Sequence, residues 1–194
     1  MRIPIGISVR HVHLTKEHLE LLFGKDYNLE ILKELSQVGE YASVETISIK
    51  GPKGIIDRVR VLGPTRNYTQ VEVSKTDAYK LGLNPPVRES GDIKDSSPII
   101  LVGPSGEIEL SEGCIIATRH IHITPNEIKR MGLENVTKVS LLVGGIKGGI
   151  MHNVSLKVSD AYSLECHLDT DDGNAFLINQ GDFGTIIKEE INND

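Results

Sequence analysis

The chain has 194 residues, 39% hydrophobic and 25% charged, which is enough for a packed core and excludes disorder as its main state. Its 21 basic and 27 acidic residues leave a net charge of −6, against a sequence-independent nucleic-acid binder; five Tyr, three Phe and no Trp argue against a base-stacking platform. No apolar run approaches the ~20 residues of a membrane helix, the opening MRIPIGISVRH is not a signal peptide, and two cysteines cannot frame a disulfide scaffold, so a cytoplasmic location is expected.

In chain order, Thr15 caps a helix over Lys16–Phe23 that turns Leu19, Leu22 and Phe23 inward and stops at Gly24. Asn28 caps a second helix over residues 29–38, ended by Gly39. Residues 44–50 and 55–62 form a hairpin around Gly51-Pro52-Lys53-Gly54. Ser74 caps a helix over Lys75–Leu81, closed by Gly82. A second hairpin joins residues 99–102 to 107–110 around Gly103-Pro104-Ser105-Gly106. Thr124-Pro125-Asn126-Glu127 combines a cap, an early proline and a Glu three residues on, and opens a helix ending at Gly132. Residues 139–143 and 150–158 form a third hairpin around residues 144–149. The expected fold is mainly β, with short capping helices.

The chain repeats itself. Ser8-Val9-Arg10-His11-Val12-His13-Leu14-Thr15 returns as Ala117-Thr118-Arg119-His120-Ile121-His122-Ile123-Thr124. Two related halves, each a small barrel or sandwich, follow from it. A weaker echo pairs Thr76-Asp77-Ala78-Tyr79 with Ser159-Asp160-Ala161-Tyr162.

Four of the seven histidines lie in the two His-x-His pairs. On a strand, residues i and i+2 share a face, so each pair projects two imidazoles side by side, a metal-ligand arrangement suited to zinc. Each pair needs a third ligand, for which His167, His18 and His152 are candidates. Cys166 adjoins His167 but faces the opposite way on a strand, and Cys114 sits among apolar residues, so both are packing residues. Asp169-Thr170-Asp171-Asp172-Gly173-Asn174 starts like a calcium loop, but its glycine comes one place early and Gln180 stands at the twelfth position; an EF-hand is rejected. The glycine run 144–149 has no Walker lysine-Ser/Thr ending and precedes no helix, so a P-loop is rejected too. Arg66, in a polar turn, can grip an anion through two N–H groups, and Glu72 leaves the apolar face of its strand. From this segment alone, a solvated strand edge is the favoured reading for both.

Five segments occur in order: IGISVRHVHL from Ile5, GPTRNYTQVEVSKTDAYKLGL from Gly63, PVRESGD from Pro86, ATRHIHITPNE from Ala117 and LECHLDTD from Leu164. Together they resemble the PduL-type phosphate propanoyltransferases (phosphotransacylases), over Ile3 to about Asn179. The resemblance implies two β-barrel domains capped by short α-helices. Residues 1–9 would join 118–187 in one barrel and residues 10–117 would form the other, with residues 188–194 as a tail. It also implies two divalent metal ions per chain, usually zinc. His11, His13 and Glu72 would hold the ion that meets the coenzyme A sulfur; His120, His122 and His167 would hold the second. Arg66 would bind phosphate and, with Ser90, act as a catalytic residue. The substrates would be a coenzyme A thioester, propanoyl or acetyl, and orthophosphate. A homodimer is expected, with no N-terminal microcompartment-targeting extension and no membrane or nucleic-acid partner. Asp172-Gly173 departs from the family's Glu-Ala, and Lys147 from its arginine. A metal-dependent hydrolase and a non-enzymatic zinc-binding module are the alternatives. The ~250 residues of an amidohydrolase barrel weigh against the first, and the absence of thiolates in the ligand sets against the second.

Overall fold

The computed structural model describes residues 1–188; of the expected tail, residues 189–194 lie outside the described residues. The elements run β1 (Arg2–Ser8), β2 (His11–His13), α1 (Lys16–Phe23), β3 (Ile31–Glu34), β4 (Tyr41–Lys50), β5 (Ile55–Gly63), β6 (Gln70–Glu72), α2 (Lys75–Leu81), β7 (Val87–Arg88), β8 (Ser97–Val102) and β9 (Glu107–Ala117). They continue with β10 (His120–Ile123), α3 (Pro125–Met131), β11 (Lys138–Val143), β12 (Gly149–Val158), β13 (Glu165–Asp169), α4 (Thr170–Phe176) and β14 (Phe183–Ile187). The protein is mainly β: two closed six-strand barrels with four short helices among the described residues.

One barrel closes in the order β1-β13-β10-β12-β11-β14. The other closes as β4-β5-β2-β6-β9-β8, with β3 added at β4 and β7 at β9. The pairing scheme is the same in both. The His-x-His strand runs parallel to one neighbour (β2 to β5, β10 to β12) and antiparallel to the other (β2 to β6, β10 to β13). That other neighbour runs parallel to the strand that precedes the opposite His-x-His strand in the chain, β6 to β9 and β13 to β1. The two repeats have therefore exchanged their first strands. The described residues cluster into two compact units accordingly: Met1–Ser8, Ser36–Val38 and residues 118–188 in one, Val9–Leu35 and Gly39–Ala117 in the other.

Strict alternation places the cores. Ile121 and Ile123 are fully buried with Ile3, Ile5, Leu141 and Cys166, while His120 and His122 leave the opposite face of β10. Val12 and Leu14 do the same in the other unit with Leu19, Leu22, Val61 and Cys114. Each such Leu, Ile or Val contributes about 1.5–3 kcal/mol on burial.

The repeated Arg-His-x-His-x-Thr frame has a structural half. Thr15 and Thr124 cap α1 and α3, accepting from the His18 and Glu127 backbone N–H groups. Arg10 donates to Asp77 at 2.9 Å, and Arg119 forms a two-pronged pair with Asp172 at 2.7 and 2.8 Å. Each aspartate sits at the third position of its helix, α2 or α4, so the arginine ties the His-x-His strand to that helix. Both Gly-Pro-x-Gly turns lie against helix C-termini: Lys53 N–H donates to Leu81 C=O and Ser105 N–H to Leu22 C=O. A Cβ at Gly51 or Gly103 would collide with those same carbonyls.

Three sequence expectations change. Residues 29–38 are not a helix: 31–34 form β3, paired as Ile31 with Ser43 and Glu34 with Tyr41. Ile31 and Leu32 are exposed there, so the apolar spacing has no face to bury, and pairing with β4 satisfies the backbone instead. Residues 170–176, set aside as a failed calcium loop, form α4, capped by Asp169 accepting from Asp172 N–H. By position after the fourth barrel strand counted from the His-x-His strand, α4 is the counterpart of α2. Ser159-Asp160-Ala161-Tyr162 is a turn after β12, so the weak echo links non-equivalent elements.

Candidate metal centre

Antiparallel pairing of β2 with β6 sets His11 opposite Glu72 and His13 opposite Gln70. Directly opposed side chains on one face approach closely. His11 Nε2 lies 3.5 Å from Glu72 Oε2, and the two imidazoles stand edge to face at 5.1 Å. One ligand atom from each of His11, His13 and Glu72 lies within 4.8 Å of the other two. All three residues are buried.

The nitrogens are prepared for a cation. His11 Nδ1 donates to Val9 C=O at 2.9 Å, which leaves the Nε2 lone pair facing Glu72. His13 Nδ1 is buried without a hydrogen-bond partner. Burial, helped by His11 and Arg66, pushes His13 down to about 2, so its ring is neutral at any physiological pH. A buried, neutral, unpartnered imidazole nitrogen beside a carboxylate fits a divalent metal, and an N,N,O set suits zinc.

Around this triad, Arg66 Nη2 donates to Glu40 at 2.9 Å and Nη1 to the Tyr68 hydroxyl at 3.2 Å. Its backbone N–H is held by Leu14 C=O. Gln70, fully buried, donates through Nε2 to Glu72 Oε1 at 2.7 Å and to Ser90 Oγ at 2.9 Å.

In the other unit, β10 against β13 sets His120 opposite His167 and His122 opposite Glu165. His120 Nδ1 donates to Thr118 C=O at 2.8 Å, repeating the His11 arrangement. The rings of His120 and His167 stack at 5.1 Å, and those of His122 and His167 lie 4.6 Å apart. Burial, with Lys157 adding, holds His120 down to about 2; burial and His167 hold His122 down to about 3. The structure thus brings the second predicted set together, but its ligand nitrogens are not gathered as tightly as the first set's. Gln37 Nε2 lies 3.0 Å from His122 Nδ1 and 2.8 Å from His167 Nε2. Glu165 pairs with His167 Nε2 at 3.1 Å and also accepts from Ser36; the His167 contact is the main reason its carboxyl is held below the usual range. Tyr162 stacks on His122 at 4.1 Å.

His18 bonds Thr69 and His152 bonds Ser140, so neither completes a set. Cys166 is buried in its barrel core, where desolvation pushes the thiol up to about 12; Cys114 is the same. Each thiol lies within an apolar core cluster, so neither joins a histidine set. Sequence reasoning missed Gln70, Glu165 and Gln37. The first two carry a readable signal, since each stands two residues before a predicted ligand on its strand. Gln37 carries none, because only the turn after β3 brings it near His122.

The sequence model described as PTAC, phosphate propanoyltransferase, matches residues 4–179. A phosphate propanoyltransferase of Thermotoga maritima is 46% identical over 187 residues, covering 96% of this chain and 89% of its own. One from Priestia megaterium is 50% identical over 184 residues, covering 95% and 85%. One from Lachnoclostridium phytofermentans is 48% identical over 186 residues, covering 95% and 87%.

Proposed function

The chain belongs to the phosphate propanoyltransferase family, and from that premise we propose how its residues move an acyl group reversibly between coenzyme A and orthophosphate. An oxygen of hydrogen phosphate attacks the thioester carbonyl. The C–S bond breaks, sulfur keeps its electron pair, and the phosphate proton passes to the departing thiolate. The products are acyl phosphate and coenzyme A.

Two anions must be managed, and the residues divide that work. Arg66 binds phosphate: Glu40 and Tyr68 hold two of its N–H groups and so orient the guanidinium, leaving others for a phosphate oxygen. Ser90 is a further substrate contact. His11, His13 and Glu72 would hold a divalent ion, most simply zinc, which would supply a Lewis acid that binds a thiolate far better than a thioester sulfur. His120, His122 and His167 would hold a second ion in place of the Gln37 amide that now meets two of their nitrogens. No protein nucleophile is needed. A cytoplasmic homodimer completes the reading.

The observation that carries the metal assignment is the buried, unpartnered His13 Nδ1 beside His11 and Glu72. The test is coenzyme A release from acetyl, propionyl and butyryl thioesters, with and without phosphate. Phosphate-dependent release with acyl phosphate as product is expected; phosphate-independent release of free acid would mean a hydrolase.

A further inference from the structure

We infer that Gln70 is a positioning residue that fixes Glu72 as a one-oxygen ligand and orients Ser90 as a hydrogen-bond donor. The inference rests on the ligand set proposed above. Gln70 stands on β6 opposite His13, two residues before Glu72 and on the same face. It is fully buried, as expensive a place for an amide as any in the molecule unless every polar atom is matched.

All of them are matched. Gly91 N–H donates to Gln70 Oε1 at 2.7 Å. A backbone N–H can only donate, so this contact settles which end of the amide is oxygen. The NH2 end then has two hydrogens and two acceptors: Glu72 Oε1 at 2.7 Å and Ser90 Oγ at 2.9 Å.

Two consequences follow from that polarity. Glu72 Oε1 is engaged by the amide, and Oε2, the oxygen 3.5 Å from His11 Nε2, is the one left to a cation. Ser90 Oγ already accepts, so its own proton is free to be given to an acceptor, such as an oxygen of phosphate or of the thioester carbonyl. The Gly91 N–H locks the relay to the backbone just beyond Ser90. Without Gln70, Glu72 can rotate or chelate through both oxygens, and Ser90 has no fixed donor direction.

A residue that merely fills space and one that sets polarity respond differently to substitution. Gln70→Glu keeps the shape and the acceptor for Gly91 but turns acceptors toward both Glu72 and Ser90. Gln70→Leu removes the polarity without reversing it. The experiment titrates the metal-free protein with cobalt(II) and follows its visible absorption. The component that Glu72→Ala abolishes defines the His11/His13/Glu72 site. Gln70→Leu is expected to weaken that component about 10–100-fold and alter its band shape, and Gln70→Glu to weaken it further. In steady-state kinetics, the apparent phosphate KM of Gln70→Leu should rise, with a non-additive effect when Ser90→Ala is added, because Ser90 acts through the same relay. Thermal melting establishes that each variant is folded before it is titrated. A folded Gln70→Leu with wild-type cobalt affinity and spectrum overturns the inference, as does a Gln70→Glu milder than Gln70→Leu. Free acid instead of acyl phosphate from the wild-type enzyme overturns the reading of the reaction and leaves the cobalt result to judge Gln70 by itself.

Discussion

The two His-x-His strands are built on one plan and differ at two positions. Where β6 places Gln70 and Glu72, β13 places Glu165 and His167. Around β2 the Glu72 carboxylate is held by a neutral amide; around β10 the His167 imidazole is held by a carboxylate. Each set therefore has one carboxylate: Glu72 Oε2 faces His11 Nε2, and Glu165 Oε2 meets His167 Nε2, the nitrogen that Gln37 also meets. A carboxylate that ligates directly would offset an ion's charge, whereas one hydrogen-bonded to an imidazole orients the ring. The first set is gathered for an ion; in the second, Gln37 sits between two of the three imidazoles.

The sharpest way to break this comparison is to remove its distinguishing ligand. Glu72→Ala should lose one metal equivalent and at least ~100-fold in turnover while remaining folded, read by elemental analysis and phosphate-dependent coenzyme A release. Retention of both metals would show that the carboxylate is no ligand.

Acid should find both sets. His13 and His120 are held down to about 2, so below their ordinary value of 6.5 the unfolded chain binds protons that the folded chain refuses. Stability of the metal-free protein is then fully present above pH 6.5 and falls as pH drops. By pH 5, His13 alone costs about 2 kcal/mol. Urea unfolding at pH 7.5 and pH 5 measures it, and an unchanged midpoint would contradict the neutral, buried rings.

Arg66 lies close enough to the first set to act on His13. Arg66→Ala should raise the apparent phosphate KM about tenfold or more, or lower kcat comparably, and Arg66→Lys should restore it only partly, for want of the two-pronged fork. Glu40→Gln should raise phosphate KM in the same direction but less, because the guanidinium loses one of the two partners that orient it. Gln37→Ala tests the second set: cobalt affinity at His120, His122 and His167 should rise several-fold once the amide no longer meets two of their nitrogens. The smallest effect is expected from Cys166→Met, which stays apolar within the core and should keep both metals and most activity, at a stability cost of about 1.5 kcal/mol or less.

By itself the sequence determined whatever depends on neighbours along the chain. The caps Thr15, Ser74 and Thr124, the three glycine-turn hairpins and the two His-x-His faces are local patterns, and they stand where their spacing places them. The resemblance supplied Glu72 and His167 as candidate partners, which spacing alone left open. Only the tertiary structure decided the rest. Residues 29–38 had helical spacing, but an unfilled edge of β4 took residues 31–34 as a strand. Asp169 to Asn174 had the start of a calcium loop, yet Arg119 gripping Asp172 and a cap on Asp169 made it a helix. Gln70 and Glu165 acquire their roles from register across β2–β6 and β10–β13, and Gln37 from a turn that clusters with the other repeat. Such contacts join residues 21 to 130 positions apart, as Gly91 to Gln70 and Gln37 to His167 do, and no local pattern encodes which of them will meet.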